Sequence, residues 1–143
     1  MLKKKLLMVF CEYEDSTDTL DYNYSLKFDF SDNKLDELEY LLEIRGDANL
    51  DEAELEKRKT ECDQLMNNVE TIKGVSVTCS LSNGLYKQKQ TLVYSSINQD
   101  AAITAYTEAG GIYPDYEKGD NMDDIEKNMN ASGYTCERIK ALT

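Results

Sequence analysis

Histidine and tryptophan are absent, and proline occurs once, at Pro114. Without histidine there is no Ser-His-Asp triad, no Cys-His pair and no imidazole-ligated metal. Cations are scarce. Sixteen Lys and Arg stand against 28 Asp and Glu, a net charge of −12 over 143 residues. Phosphate neutralisation needs clustered Lys and Arg, so nucleic acid is not an expected partner. No apolar run reaches the roughly 18 residues of a membrane span. The opening run Leu6–Phe10 is shorter than the roughly 7–15 residues of a secretory h-region. Val9 and Phe10 are too bulky for a lipoprotein processing site ahead of Cys11. The opening therefore reads as a buried first strand led in by Lys3, Lys4 and Lys5, and any export signal or anchor is expected outside this chain.

What is present is a core's worth of apolar residues, 41% of the chain, with no repeat, linker or low-complexity stretch. Residues 1–143 read as one domain. Tyr22, Tyr24, Leu26, Phe28 and Phe30 alternate with polar residues, the pattern of a half-buried strand. Ser31-Asp32-Asn33-Lys34 supplies a turn. Residues 35–45 fit a strand through Leu38, Tyr40, Leu42 and Ile44, and a helix through Leu35, Leu38, Leu41 and Leu42. The preceding turn favours a strand.

Asn49 or Asp51 can cap a helix whose stripe is Leu55, Cys62, Leu65, Met66, Val69 and Ile72, with Gly74 as its stop. Val75, Val77, Cys79 and Leu81 alternate next. Asn83-Gly84 then marks a hairpin into a strand at about 85–95. The middle of that strand, Lys87-Gln88-Lys89-Gln90, is polar on both faces, which predicts exposure or an edge position. Helices follow at 98–109 and 121–131, opened by Asn98 and by acidic residues at 123 and 124, and a strand from Tyr134 to Ile139 closes the chain. Leu26, Phe28, Val75, Val77 and Leu92 are expected beneath the helix carrying Leu65, Met66 and Val69. The fold class is α+β: a mainly antiparallel sheet of five to six strands with helices on one face.

Cys11, Cys62, Cys79 and Cys136 are the residues with distinctive chemistry. Their spacing fits neither a zinc knuckle nor a redox Cys-x-x-Cys. Two disulfides in any of three pairings, or four buried thiols, both suit the count. Three segments resemble the YehR-like bacterial lipoproteins and related exported single-span proteins of Gram-positive bacteria. Leu6–Glu14 is similar to their first strand. Ile72-Lys73-Gly74-Val75-Ser76-Val77-Thr78-Cys79 is similar to their helix-to-strand junction. Met122–Glu126 through Ala131-Ser132-Gly133-Tyr134-Thr135-Cys136 is similar to their closing helix and strand. The resemblance implies an extracytoplasmic α+β domain of unassigned function, held at the membrane through a segment outside this chain. An exported chain favours disulfides. The long helix packing on the strand after Gly74 then brings Cys62 to Cys79, and Cys11 with Cys136 ties the two chain ends.

Tyr106, Tyr113, Tyr116 and Tyr134 flank the 112–120 loop and form a candidate binding surface, with half-buried core-edge tyrosines as the alternative. Asp115, Glu117, Asp120, Asp123 and Asp124 suggest calcium, but the EF-hand order is missing, and a solvated loop before a helix explains them more readily. Paired carboxylates for a hydrolase can be drawn almost anywhere from so many acids. No catalytic residue, metal ligand or cofactor is assigned. The expected role is non-enzymatic, an envelope domain binding a protein, peptide or glycan. The alternatives are a calcium-binding domain through 115–124 and a carboxylate hydrolase.

Overall fold

The computed structural model describes residues 5–114 and 116–142. Met1–Lys4, with the lead-in Lys3 and Lys4, lie outside them, as do Asp115 and Thr143. The element order is β1 (Lys5–Ser16), β2 (Asp21–Ser31), β3 (Lys34–Arg45), α1 (Glu52–Val69), β4 (Val75–Ser82), β5 (Leu85–Val93), α2 (Gln99–Glu108), α3 (Met122–Ala131) and β6 (Thr135–Leu142). The strands form one antiparallel sheet in the order β4-β5-β3-β2-β1-β6. Residues 35–45 are strand. Both expected turns form, with left-handed backbone at Asp32 (φ 50°), Asn33 (φ 66°), Asn83 (φ 49°) and Gly84 (φ 78°). Two consecutive positive φ values give the turn whose twist matches paired strands.

Register decides which residues share a face. Cys11, Leu26, Tyr40, Gln90 and Val77 lie in one cross-strand row, and Val9, Phe28, Leu38, Leu92 and Val75 in the next. These rows face the helices. The other face carries Lys27, Glu39 and Lys89, joined by ion pairs at 3.6 and 2.6 Å. An antiparallel sheet tolerates this, with one face packed and one wet.

The core divides in two. Leu55, Cys62, Leu65 and Val69 of α1 pack on Leu42, Ile44, Val77 and Tyr86, together with Ala105 and Tyr106 of α2. Met122, Ile125 and Met129 of α3 pack on Val9, Cys11, Leu26, Phe28, Phe30 and Leu92. Leu26, Phe28 and Leu92 thus belong to the α3 cluster and not, as the sequence predicts, to that of α1. Val75 touches both clusters.

Three further differences have physical causes. Helix α1 ends at Val69, short of Ile72, because residues 70–74 must turn the chain into β4. Gly74 (φ 86°) makes that turn, and a Cβ there would lie 2.6 Å from the Ile97 Cα. Asp51 precedes α1, yet its carboxylate caps no helical N–H. Its Oδ2 instead accepts from the Asp47 amide at 2.7 Å. Strand β5 is no edge strand. It lies between β3 and β4, and its polar middle splits, with Lys87 and Lys89 exposed and Gln90 buried.

Both disulfides are formed. Cys62 bonds to Cys79 with Cα atoms 6.0 Å apart, pinning α1 to β4. Cys11 bonds to Cys136, directly opposite it across β1 and β6, at a Cα separation of 4.1 Å.

Candidate functional site

Helix α1 and the chain that follows α2 border a trough over the inward face of the sheet. A cleft of about 480 Å³ occupies it. Its floor is the inward face of β3 and β5, where Tyr40 pairs with Gln90 and Leu42 with Gln88. One wall is α1, which presents Arg58, Glu61, Cys62 and Leu65 at helical spacing. The opposite lip is the chain after α2, from Ala109 to Ile112, with Pro114 and Tyr116. Ile112 on that lip is 91% exposed.

The floor carries a directed hydrogen-bond chain. The Tyr106 hydroxyl donates to Gln90 Oε1 at 2.6 Å, Gln90 Nε2 donates to Gln88 Oε1 at 2.9 Å, and Gln88 Nε2 donates to the Tyr86 hydroxyl at 3.1 Å. Burial pushes the Tyr86 phenol up to about 12, although the bond from Gln88 pulls the other way. Burial also raises Tyr40 and Tyr106 well above the usual phenol value of 10.0. These phenols are neutral throughout the physiological range, so they act as hydrogen-bonding groups and not as bases. Cys62 reaches the cleft, but its sulfur is committed to the bond with Cys79.

The four tyrosines singled out by sequence divide. Tyr106 is fully buried and borders the cleft from within, packed edge-on to the Tyr113 ring at 5.2 Å. Tyr116 lines the cleft, edge-on to Phe28 at 5.2 Å, with its hydroxyl 3.2 Å from Met129 Sδ. Tyr134 lies apart from these, its ring 5.3 Å from Tyr13. The Tyr94 and Tyr113 hydroxyls are enclosed without a hydrogen-bond partner among the described residues. The acids of 115–124 also divide. Asp120 accepts from the Glu117 amide at 2.9 Å, and Asp123 is engaged by Arg138 at 2.8 Å. Asp115 lies outside the described residues, among which no group of three His, Cys, Asp or Glu side chains is placed to hold a metal.

Sequence reading missed Tyr40, Tyr86, Gln88 and Gln90 as site residues. The available signal was the period-two placement of two glutamines on the face that also carries Tyr86 and Leu92. Polar residues on a strand's core face need a partner or a cavity.

Fold and site together define a six-stranded antiparallel α+β domain with helices on one face and a tyrosine- and glutamine-floored cleft beside α1. Two solved structures are similar to it. One is the NMR structure of a protein from Streptococcus pneumoniae TIGR4, with a TM-score of 0.65 and 11% identity over 92% of this chain and 85% of that one. The other is the NMR structure of the E. coli YehR protein, with a TM-score of 0.55 and 12% identity over 94% of this chain and 89% of that one. At these identities the likeness establishes the fold. No protein-family model matches the sequence, and no curated protein sequence matches it.

Proposed function

We propose that this chain is a non-enzymatic binding domain of the cell envelope, working outside the cytoplasm and holding a segment of an envelope protein, peptide or glycan in the cleft beside α1. The observation that carries this reading is the cleft's chemistry. Neutral phenols and amides floor a preformed cavity that has Arg58 and Glu61 on its α1 wall and whose one cysteine sulfur is locked in a disulfide. Preformed clefts with apolar walls and a few placed polar groups are the usual form of ligand sites. Two disulfides fit an oxidising compartment. Among the described residues no helix is long and apolar enough to cross a membrane. Membership of the YehR-like exported proteins is part of the same proposal. It is supported by the shared fold and by the first-strand, junction and closing segments.

Two measurements test it. Thiol alkylation of the denatured, unreduced protein recovered from its own cells is expected to label no cysteine, whereas four labelled thiols overturn the extracytoplasmic assignment. Amide NMR titration with solubilised cell-wall fragments and envelope peptides is expected to move the signals of Tyr40, Gln88 and Gln90. Shifts confined to the opposite sheet face overturn the cleft as the site.

A further inference from the structure

The sheet is open, and its two edges are built differently. Strand β6, at one edge, carries Glu137, Arg138 and Lys140, and Arg138 is tied to Asp123 and Glu126 of α3 at 2.8 and 2.9 Å. Charged residues along an edge discourage another strand from pairing there. Strand β4, at the other edge, has 8 residues without a charge or a proline, in unbroken register with β5. Its own sequence does not guard it.

The hairpin fixes which backbone groups of β4 are free. Ser82 and Leu85 flank the two-residue turn Asn83-Gly84 and so form a hydrogen-bonded pair. Such pairs recur at every second residue of an antiparallel ladder, so Ser82, Ser80, Thr78 and Ser76 direct their N–H and C=O groups to β5. The Val93 amide, which donates to the Gly74 carbonyl at 2.8 Å, continues the same series. Val75, Val77, Cys79 and Leu81 therefore turn their backbone groups to the open side, where none of them has a backbone partner among the described residues.

At the Leu81 end of this edge lies a hollow of about 290 Å³ between β4 and the start of α1. Ala48, Leu55 and Leu81 give it apolar surface, and Glu52 and Glu56 give it negative charge. Both glutamates are exposed, and neither has an ion pair among the described residues. The hollow shares no lining residue with the cleft. Its chemistry suits a long cationic side chain, with the stem on the leucines and the head at the carboxylates.

We propose that β4 is a second docking edge, independent of the cleft, which takes an extended basic peptide segment as an added antiparallel strand. The segment pairs with the free backbone groups of Val75, Val77, Cys79 and Leu81. A Lys or Arg opposite Leu81 shares that residue's face of the sheet and enters the hollow. Charge selects this occupant over a second copy of the chain. A net charge of −12 repels its own kind and attracts a basic partner.

The test is NMR titration of the oxidised full chain with three capped peptides. The first is Lys-Thr-Val-Thr-Val-Thr, the second has Glu in place of Lys, and the third is the first with both valine amides N-methylated, which removes strand-pairing donors. The first is expected to move the backbone amides of Val77, Cys79 and Leu81 and to slow their exchange with solvent. The Glu peptide should bind about tenfold more weakly, and the N-methylated peptide by at least as much. The exposed double substitution Glu52→Gln with Glu56→Gln should weaken the Lys peptide about threefold to tenfold, with the fold unchanged. Equal binding of the N-methylated peptide overturns strand addition, and equal binding of the Glu peptide overturns the basic partner. Shifts confined to β6 or the cleft, or no shifts at all, overturn the edge as the site. Self-association of the protein alone, with Val77, Cys79 and Leu81 protected, overturns the peptide in favour of a second copy.

Discussion

The Tyr106 hydroxyl on α2 lies 2.6 Å from Gln90 Oε1 on β5, and both side chains are buried. Removing one partner leaves the other unpaired in the core, which costs about 1–3 kcal/mol. Tyr106→Phe is expected to lower unfolding stability by that amount. Tyr94→Phe is expected to behave oppositely, because the Tyr94 hydroxyl is enclosed without a protein partner. Its loss should leave stability unchanged or raise it by up to about 1 kcal/mol. Urea denaturation midpoints of the two variants check the pair.

The two disulfides close loops of very different length, with sequence separations of 125 for Cys11–Cys136 and 17 for Cys62–Cys79. The chain-entropy model assigns about 5 kcal/mol to the first and about 3 to the second. Replacing Cys11 and Cys136 together by Ala should therefore destabilise more than replacing Cys62 and Cys79. The former should also free the edge strand β6, seen as faster amide exchange at 135–139 with β3–β5 still protected. Equal losses in the two double variants would contradict the assignment.

Gly74 and Gly110 both have positive φ, 86° and 76°, but different surroundings. An added Cβ at Gly74 meets the Ile97 backbone at 2.6 Å, whereas at Gly110 nothing lies within 4 Å. Gly110→Ala should cost only the left-handed backbone penalty, about 1–2 kcal/mol. Gly74→Ala should cost clearly more, because the Ile97 backbone must also move. Thermal unfolding of both variants measures the difference.

Glu39 and Glu37 give opposite pH responses. The Lys89 and Lys27 ammonium groups hold the Glu39 carboxyl below its ordinary 4.5. Its stabilisation is fully present above that value and is lost as pH falls through the folded pKa. Glu39→Gln should therefore cost stability at neutral pH, and the cost should vanish on acidification. Burial, together with a hydrogen bond and repulsion from Asp29, raises Glu37. Ionised Glu37 opposes folding above its raised pKa, and that penalty is relieved in acid. Glu37→Gln should stabilise at neutral pH, with the gain disappearing on acidification. Denaturation series from about pH 7 to pH 3 read both signs.

Local chemistry made much of the fold legible. Alternation from Tyr22 to Phe30 announced β2. Asp32-Asn33 and Asn83-Gly84 announced turns because few residue types accept positive φ. Asn98 announced the start of α2, which it caps with its side-chain oxygen, and Asp123 and Asp124 marked the first turn of α3. Each of these signals acts within a few residues, so the chain states them without knowing its neighbours in space.

Strand order is different. Placing β5 between β3 and β4 decided that Gln88 and Gln90 face a cleft, and placing β1 and β2 on the far side gave Leu26 and Phe28 to α3. No local pattern carries that information. Gln90 can be buried because Tyr106, sixteen residues later and on another element, takes its oxygen. A polar strand segment reads as an edge until that partner is in place. The sequence by itself determined the elements, the turns and the charge. The tertiary structure decided the divided core, the cleft and the direction of its hydrogen bonds, because these depend on contacts between residues far apart in the chain.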